Sequence, residues 1–102
     1  MRTPLIAGNW KMFKTVHDAV VFAKELRPLV KDVIDVDVVV APPFTAIHAV
    51  AEALRNANVA VASQDMYWER EGAFTGEVSG PMLKEAGAEF AITQPVFEAK
   101  SL

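Results

Sequence analysis

The chain alternates between short apolar runs and longer stretches in which apolar residues recur every three or four positions. Four short runs predict buried strands, over residues 5–7, 36–40, 59–62 and 90–93. Three stretches predict amphipathic helices, beginning near Thr15, Thr45 and Pro81. Strands that alternate with helices need crossover connections, and these produce a parallel sheet. The pattern therefore predicts an α/β domain with four parallel strands.

Polar residues mark the ends of these helices. Thr15 and Asp18 have the spacing of a capping box, and Ser79 can cap the third helix. Pro28 is expected to end or kink the first helix, because proline has no backbone N–H to donate. Residues 95–102 could form one or two helical turns, which are too few to be stable without packing.

Four motifs resemble triosephosphate isomerase, in the order and at the intervals of that family. They read Gly8-Asn9-Trp10-Lys11-Met12, Ala41-Pro42-Pro43-Phe44, Ala62-Ser63-Gln64-Asp65-Met66 and Gly72-Ala73-Phe74-Thr75-Gly76-Glu77-Val78-Ser79. The resemblance implies an enzyme ancestor that interconverts dihydroxyacetone phosphate and glyceraldehyde 3-phosphate in glycolysis. It also implies a TIM (β/α)8 barrel with helices on the outer face of the sheet.

The chain is too short for a whole barrel of this kind. A (β/α)8 barrel usually takes about 250 residues, whereas this chain has 102. We therefore expect a single half-barrel domain over residues 1–102, with strands 1 to 4 of the barrel. Residues 1–92 are similar to the N-terminal half of the family, and residues 93–102 form a divergent tail.

Asn9 and Lys11 are the candidate site residues. Both follow the first strand, and ligands bind at the carboxyl ends of strands in α/β folds. The resemblance implies that they are vestigial substrate-binding positions, and Lys11 could bind phosphate or sulfate weakly. Lys11 could instead be an ordinary solvated lysine, and Asn9 an ordinary turn residue.

The sequence at the end of the fourth strand differs from that of the family. There the family reads Gly-His-Ser-Glu-Arg-Arg, and its His acts as the electrophile. An ungapped alignment places Pro95, Val96, Phe97 and Glu98 at the His, Ser, Glu and first Arg. The family's general base and phosphate-binding loops follow later strands. Isomerase activity of this chain alone is therefore not expected, which leaves its status as an enzyme open.

Two surfaces could join this chain to another. A sheet of four parallel strands has two open edges, which attract other strands. A C2 homodimer could pair the fourth strand of each copy with the first strand of the other and complete a barrel. A rival dimer would use the long loop at 63–78, whose candidate interface residues are Met66, Tyr67, Trp68, Phe74 and Thr75.

Composition and charge limit the kinds of partner, metal and cofactor that the chain could bind. The net charge is −3 and no basic cluster stands out, which argues against nucleic acid or an anionic membrane as partner. The sequence has no cysteine, no ligand spacing typical of a metal site and no cofactor motif. We expect no cofactor, no metal and a cytoplasmic location.

Three functional hypotheses follow. The first is a truncated, inactive half barrel that self-associates into a homodimer. The second is one half of a split triosephosphate isomerase that needs a separate C-terminal half. The third is a truncated or engineered piece of an ordinary enzyme.

Overall fold

A computed structural model describes residues 4–93 and 98–102. The elements in chain order are β1 (Leu5–Asn9), α1 (Val16–Leu29), β2 (Asp37–Ala41), a 3-10 turn (Phe44–Ala46), α2 (Ile47–Ala53), β3 (Val59–Ser63), α3 (Gly80–Ala86), β4 (Phe90–Thr93) and β5 (Glu98–Ser101). In the described part of the chain, no helix is long and apolar enough to cross a membrane.

The strands form one sheet in the order β1-β2-β3-β4-β5. The first four are parallel, with Gly8 opposite Val40 and Val40 opposite Val61. The fifth strand is antiparallel to β4 and pairs Phe90 with Ser101. The prediction of four parallel strands with helices on one face is confirmed.

The two faces of the sheet carry different cores. The outer face packs against the helices, and its buried cluster includes Ala19, Ala23, Val40, Ile47, Val50, Leu54, Val59, Val61 and Leu83. A smaller cluster of Val39, Ala41, Ala62 and Ile92 lies on the inner face. Successive residues of a strand point to opposite faces, so Val39 and Val40 belong to different cores.

Local chemistry fixes the helix ends as the sequence predicts. The side-chain oxygens of Thr15 and Ser79 accept hydrogen bonds from the backbone N–H groups of Asp18 and Met82. Gly87 ends α3 with φ +116°, and a Cβ there would lie 2.4 Å from that of Ala51. Only glycine satisfies both the left-handed backbone and this close approach of α3 to α2.

Pro28 was expected to end or kink the first helix near Arg27, and the helix ends two residues further on. Helix α1 continues through Pro28 and ends at Leu29. The proline ring has a φ close to that of a helix, so near the C-terminus it removes one hydrogen bond without stopping the chain.

The described part of the tail is a strand and not the helical turns that its sequence could form, whereas residues 95–97 lie outside the described residues. Residues 98–101 form β5, which pairs with β4 from Thr93 opposite Glu98 to Phe90 opposite Ser101. A short tail gains more from the hydrogen bonds of an available strand edge than from one or two isolated helical turns. The premise that both sheet edges are open is therefore corrected: β5 covers β4, whereas no strand of the described residues pairs with the outer side of β1.

Candidate functional site

The backbone after β1 turns sharply at Lys11. The side-chain Oδ1 of Asn9 accepts a hydrogen bond of 2.9 Å from the N–H of Lys11, which has a left-handed φ of +54°. The adjacent Trp10 lies one residue beyond β1 but is still bonded to β2, since its N–H donates to the carbonyl of Ala41 at 3.1 Å. Asn9 is thus a turn-forming residue that sets the direction in which Lys11 leaves the strand.

Gln64 joins the carboxyl ends of three strands. It follows β3, and its Nε2 donates to the carbonyls of both Lys11 and Ala41 at 2.8 Å. Ala41 ends β2, so a single amide ties the chain after β1 to the ends of β2 and β3. Gln64 is not marked as a site residue by the sequence alone, because its hydrogen-bond partners are backbone atoms distant in the chain.

A second lysine beside this corner is held by aromatic rings. The Nζ of Lys14 lies 4.7 Å from the ring centre of Phe22 and 5.8 Å from that of Trp10. The two rings meet edge to face at 5.2 Å. These distances are in the range of cation–π attraction, so the Lys14 ammonium already interacts with two aromatic rings of the protein.

Lys11 is the cation that remains available at the strand ends. Its side chain is exposed, and within the described part of the chain it takes part in no ion pair. An exposed ammonium on a braced turn can attract an anion such as phosphate. The corner of Asn9, Lys11 and Gln64 contains no carboxylate or imidazole, the groups that most often transfer protons in enzymes, but its amides and its cation suit the positioning of an anion.

The long loop brings together only part of its predicted interface set. The rings of Tyr67 and Phe74 pack at 4.5 Å, and the Tyr67 N–H donates to the carbonyl of Val78 at 2.8 Å. Met66 packs against the outer core instead. Trp68 is 80% exposed and Thr75 is exposed, so these two residues remain on the surface.

Ser63 is buried at the end of β3, and its hydroxyl has no partner among the described residues. It is fully inaccessible to solvent, and its Oγ has no hydrogen bond among the described residues. Burial of an unpaired hydroxyl costs free energy. This cost was not evident from the sequence, in which Ser63 is an ordinary strand-end residue.

The structure describes only one of the four positions aligned with the family's motif after the fourth strand. Pro95, Val96 and Phe97 lie outside the described residues. Glu98, the fourth position of that alignment, is the first residue of β5.

The fold and the strand ends together define the first part of a (β/α) barrel, with an anion-accessible lysine after its first strand. The family's sequence model, described as triosephosphate isomerase, matches residues 4–94. The chain belongs to the triosephosphate isomerase family.

Individual relatives agree with this assignment. The chain is 63% identical over 92 residues to the triosephosphate isomerase of Trichlorobacter lovleyi and 53% identical to that of Carboxydothermus hydrogenoformans. These matches cover 90% of this chain and 37% of each relative. The crystal structure of triosephosphate isomerase from Bartonella henselae superposes with a TM-score of 0.81 at 28% identity, over 88% of this chain and 37% of that one. The predicted resemblance is confirmed, and the chain spans little more than a third of these relatives.

Proposed function

We propose that this chain is a self-associating half barrel that does not isomerise triose phosphates by itself. The observation that supports this most directly is the unpaired first strand. All five residues of β1 (Leu5–Asn9) are exposed, and β1 forms one end of the sheet. Leu5 and Ile6 are 42% and 58% exposed, so an apolar edge faces solvent. Such an edge pairs readily with another strand.

The proposed inactivity follows from the catalytic groups that this chain lacks. In the family an electrophilic His follows the fourth strand, and here Pro95 aligns with it. The family's general base follows the sixth strand, beyond the four barrel strands of this sheet. Loss of a general base lowers a rate by about 10²–10⁴-fold, and loss of an oxyanion donor by about 10²–10³-fold. Asn9 and Lys11 would then be substrate-binding positions that no longer serve a reaction.

Two measurements test this proposal. A coupled assay of the pure chain with glyceraldehyde 3-phosphate is expected to show no turnover above a buffer control. Sedimentation equilibrium at micromolar concentration is expected to give twice the mass of the chain. Turnover that co-purifies with the chain would contradict the inactivity, and a stable monomer would contradict the self-association.

The braced corner at Lys11 supports a second candidate, one half of a split isomerase. The Asn9 and Gln64 hydrogen bonds hold the Lys11 turn although this chain alone supplies no other part of the family's site. A preformed corner would lower the cost of assembling a site when a second chain supplies the rest. Such a chain would have to displace β5 from the edge of β4.

Complementation distinguishes the two candidates. A separately produced C-terminal half from a relative, such as the T. lovleyi enzyme, would be mixed with this chain and assayed. Activity that appears only in the mixture, and that is lost with Lys11→Ala, would support the split enzyme. An inactive mixture in which this chain remains a homodimer would favour the first candidate.

A further inference from the structure

We propose that β5 (Glu98–Ser101) is a built-in cap on one sheet edge and that it directs a second copy of this chain to the other edge, at β1. The inference rests on the proposed self-association, which it deepens by naming the edge that pairs. It also replaces the fourth-to-first strand dimer expected from the sequence with a pairing of β1 against β1 of the second copy.

The cap begins where the family match ends. The family model matches up to residue 94, and β5 starts at Glu98. Four strands of a parallel barrel would offer the free side of β4 to a fifth parallel strand. Here an antiparallel strand pairs along the whole of β4, from Phe90 to Thr93. The tail therefore occupies the edge that a next barrel strand would need.

The end of β5 is anchored to the body of the domain. The N–H of Leu102 donates to the carbonyl of Glu89 at 3.0 Å, and the Leu102 side chain is partly buried against the outer core. An anchored strand of the same chain competes at a high effective concentration with any strand from another molecule. Pairing within the chain should therefore exclude pairing between chains at β4.

The two outer strands of the five-stranded sheet differ in their protection. Strand β5 is only four residues long and contains Glu98 and Lys100. Short edge strands with charged residues resist pairing with other molecules. Strand β1 reads Leu-Ile-Ala-Gly-Asn and has no charged residue. Two copies of β1 can therefore approach without repulsion between like charges.

The backbone of β1 shows which groups the second copy would meet. The backbone N–H of Asp37 donates to the carbonyl of Pro4, and the backbone N–H of Trp10 donates to the carbonyl of Ala41. The backbone groups of residues 4 and 10 therefore point toward β2. Backbone groups alternate in direction along a strand, so Leu5, Ala7 and Asn9 direct their N–H and C=O groups away from the sheet. A two-fold axis beside Ala7 would pair two copies of β1 as antiparallel strands.

Proline at Ala7 tests the β1 edge. Ala7→Pro removes an outward N–H without removing a donor to β2, and Ala7→Val retains the N–H as the matched control. The dimer dissociation constant, measured by sedimentation, is expected to rise at least about tenfold for Ala7→Pro, since a lost hydrogen bond contributes roughly 1 kcal/mol in each half of the interface. It should change little for Ala7→Val. A dimer of unchanged affinity in Ala7→Pro would overturn the assignment to β1.

Hydrogen exchange tests the cap separately. In the unmodified chain, β4 amides should be protected equally at low and high protein concentration, because the cap is intramolecular, whereas β1 amides should gain protection with concentration. The double substitution Ala99→Pro and Lys100→Pro removes two successive donors, one of which must face β4. Faster exchange confined to β4, with particles larger than a dimer, is expected. The double substitution Ala99→Thr and Lys100→Thr is the control.

Failure of the self-association and failure of the cap would give different results. A monomer with β4 protected at every concentration would refute self-association while leaving the cap intact. Protection of β4 that rises with concentration would refute the cap, because copies would then pair at that edge. If the double proline variant does not fold, Leu102→Asp loosens the anchor instead, with the exposed Ser101→Asp as control for the added charge.

Discussion

At the scale of single residues, the two lysines near the first strand lie in different environments. Both have a left-handed backbone, with φ +54° at Lys11 and +75° at Lys14. The charge of Lys14 lies over two aromatic rings, whereas that of Lys11 is exposed at the strand ends. Of these two lysines, Lys11 is the one whose charge is free to meet an anion.

Phosphate should stabilise the folded chain through Lys11. A weak site stabilises by about 1.4 kcal/mol at a ligand concentration ten times Kd, which corresponds to a Tm rise of several degrees in a domain of this size. Lys11→Gly should abolish the phosphate-dependent rise, while Lys14→Gly should lower the starting Tm but retain the rise. Glycine suits both left-handed positions, so the pair isolates the charge. Equal phosphate effects in both variants would rule out a site at Lys11.

The two buried serines should respond to alanine in opposite directions. The Ser63 Oγ has no partner among the described residues, so Ser63→Ala should raise the free energy of unfolding by about 1 kcal/mol. The Ser79 Oγ caps α3, so Ser79→Ala should lower it by about 0.5–2 kcal/mol. Urea unfolding of both variants measures the difference. A destabilised Ser63→Ala would mean that its hydroxyl is hydrogen-bonded in solution.

At the scale of elements, side chains from one element complete the ends of another. The Nη1 of Arg27 in α1 donates to the carbonyls of Ala53 and Arg55 at the end of α2, at 3.2 and 2.6 Å. The Nδ2 of Asn58, just before β3, donates to the carbonyls of Val30 and Val33 after α1. The helix ends in the first half of the chain are thus held by residues more than 20 positions away, as well as by local caps.

Removal of the Arg27 head group should destabilise the pair of helices. Arg27→Met retains most of the apolar stem but loses two charged hydrogen bonds, so a loss of about 1–2 kcal/mol is expected. Arg55→Ala is the control, because its ion pair with Glu52 at 3.6 Å is exposed and should contribute less than about 0.5 kcal/mol. Thermal unfolding followed by far-UV circular dichroism compares the two. Similar losses in both variants would show that the bonds from Arg27 to α2 contribute little.

At the scale of the whole molecule, the sheet has one protected edge and one open edge. This asymmetry predicts a dimer of limited size instead of a growing fibre, because a two-fold pairing of β1 leaves only the two β5 edges outside.

The thermal stability of such a dimer should depend on protein concentration. Each tenfold increase in concentration contributes about 1.4 kcal/mol to the folded state, so Tm should rise by several degrees per decade. Trp68→Ala, in the rival interface on the long loop, should keep this dependence, since Trp68 lies outside the β1 edge. A Tm that is independent of concentration would indicate a folded monomer, and loss of the dependence in Trp68→Ala would place the interface on the loop.

Much of this architecture is encoded locally. The four barrel strands, the three helices and the caps at Thr15 and Ser79 follow from apolar periodicity and from side chains within three residues of the groups that they satisfy. Membership of the family follows from motifs that are each contiguous in the chain. These features could be predicted because every signal and its structural consequence lie close together in the sequence.

The bracing of Lys11 and the covering of one sheet edge were settled by tertiary structure. The bracing of Lys11 by Gln64 depends on the sheet bringing together residues 53 positions apart. The strand form of residues 98–101 depends on the free edge of β4, since a short tail takes whichever structure satisfies its backbone hydrogen bonds. The sequence by itself determined the four strands and their helices. Only the assembled sheet decided which of its two edges the tail would cover, because edge pairing joins backbone groups that only the folded sheet brings into line.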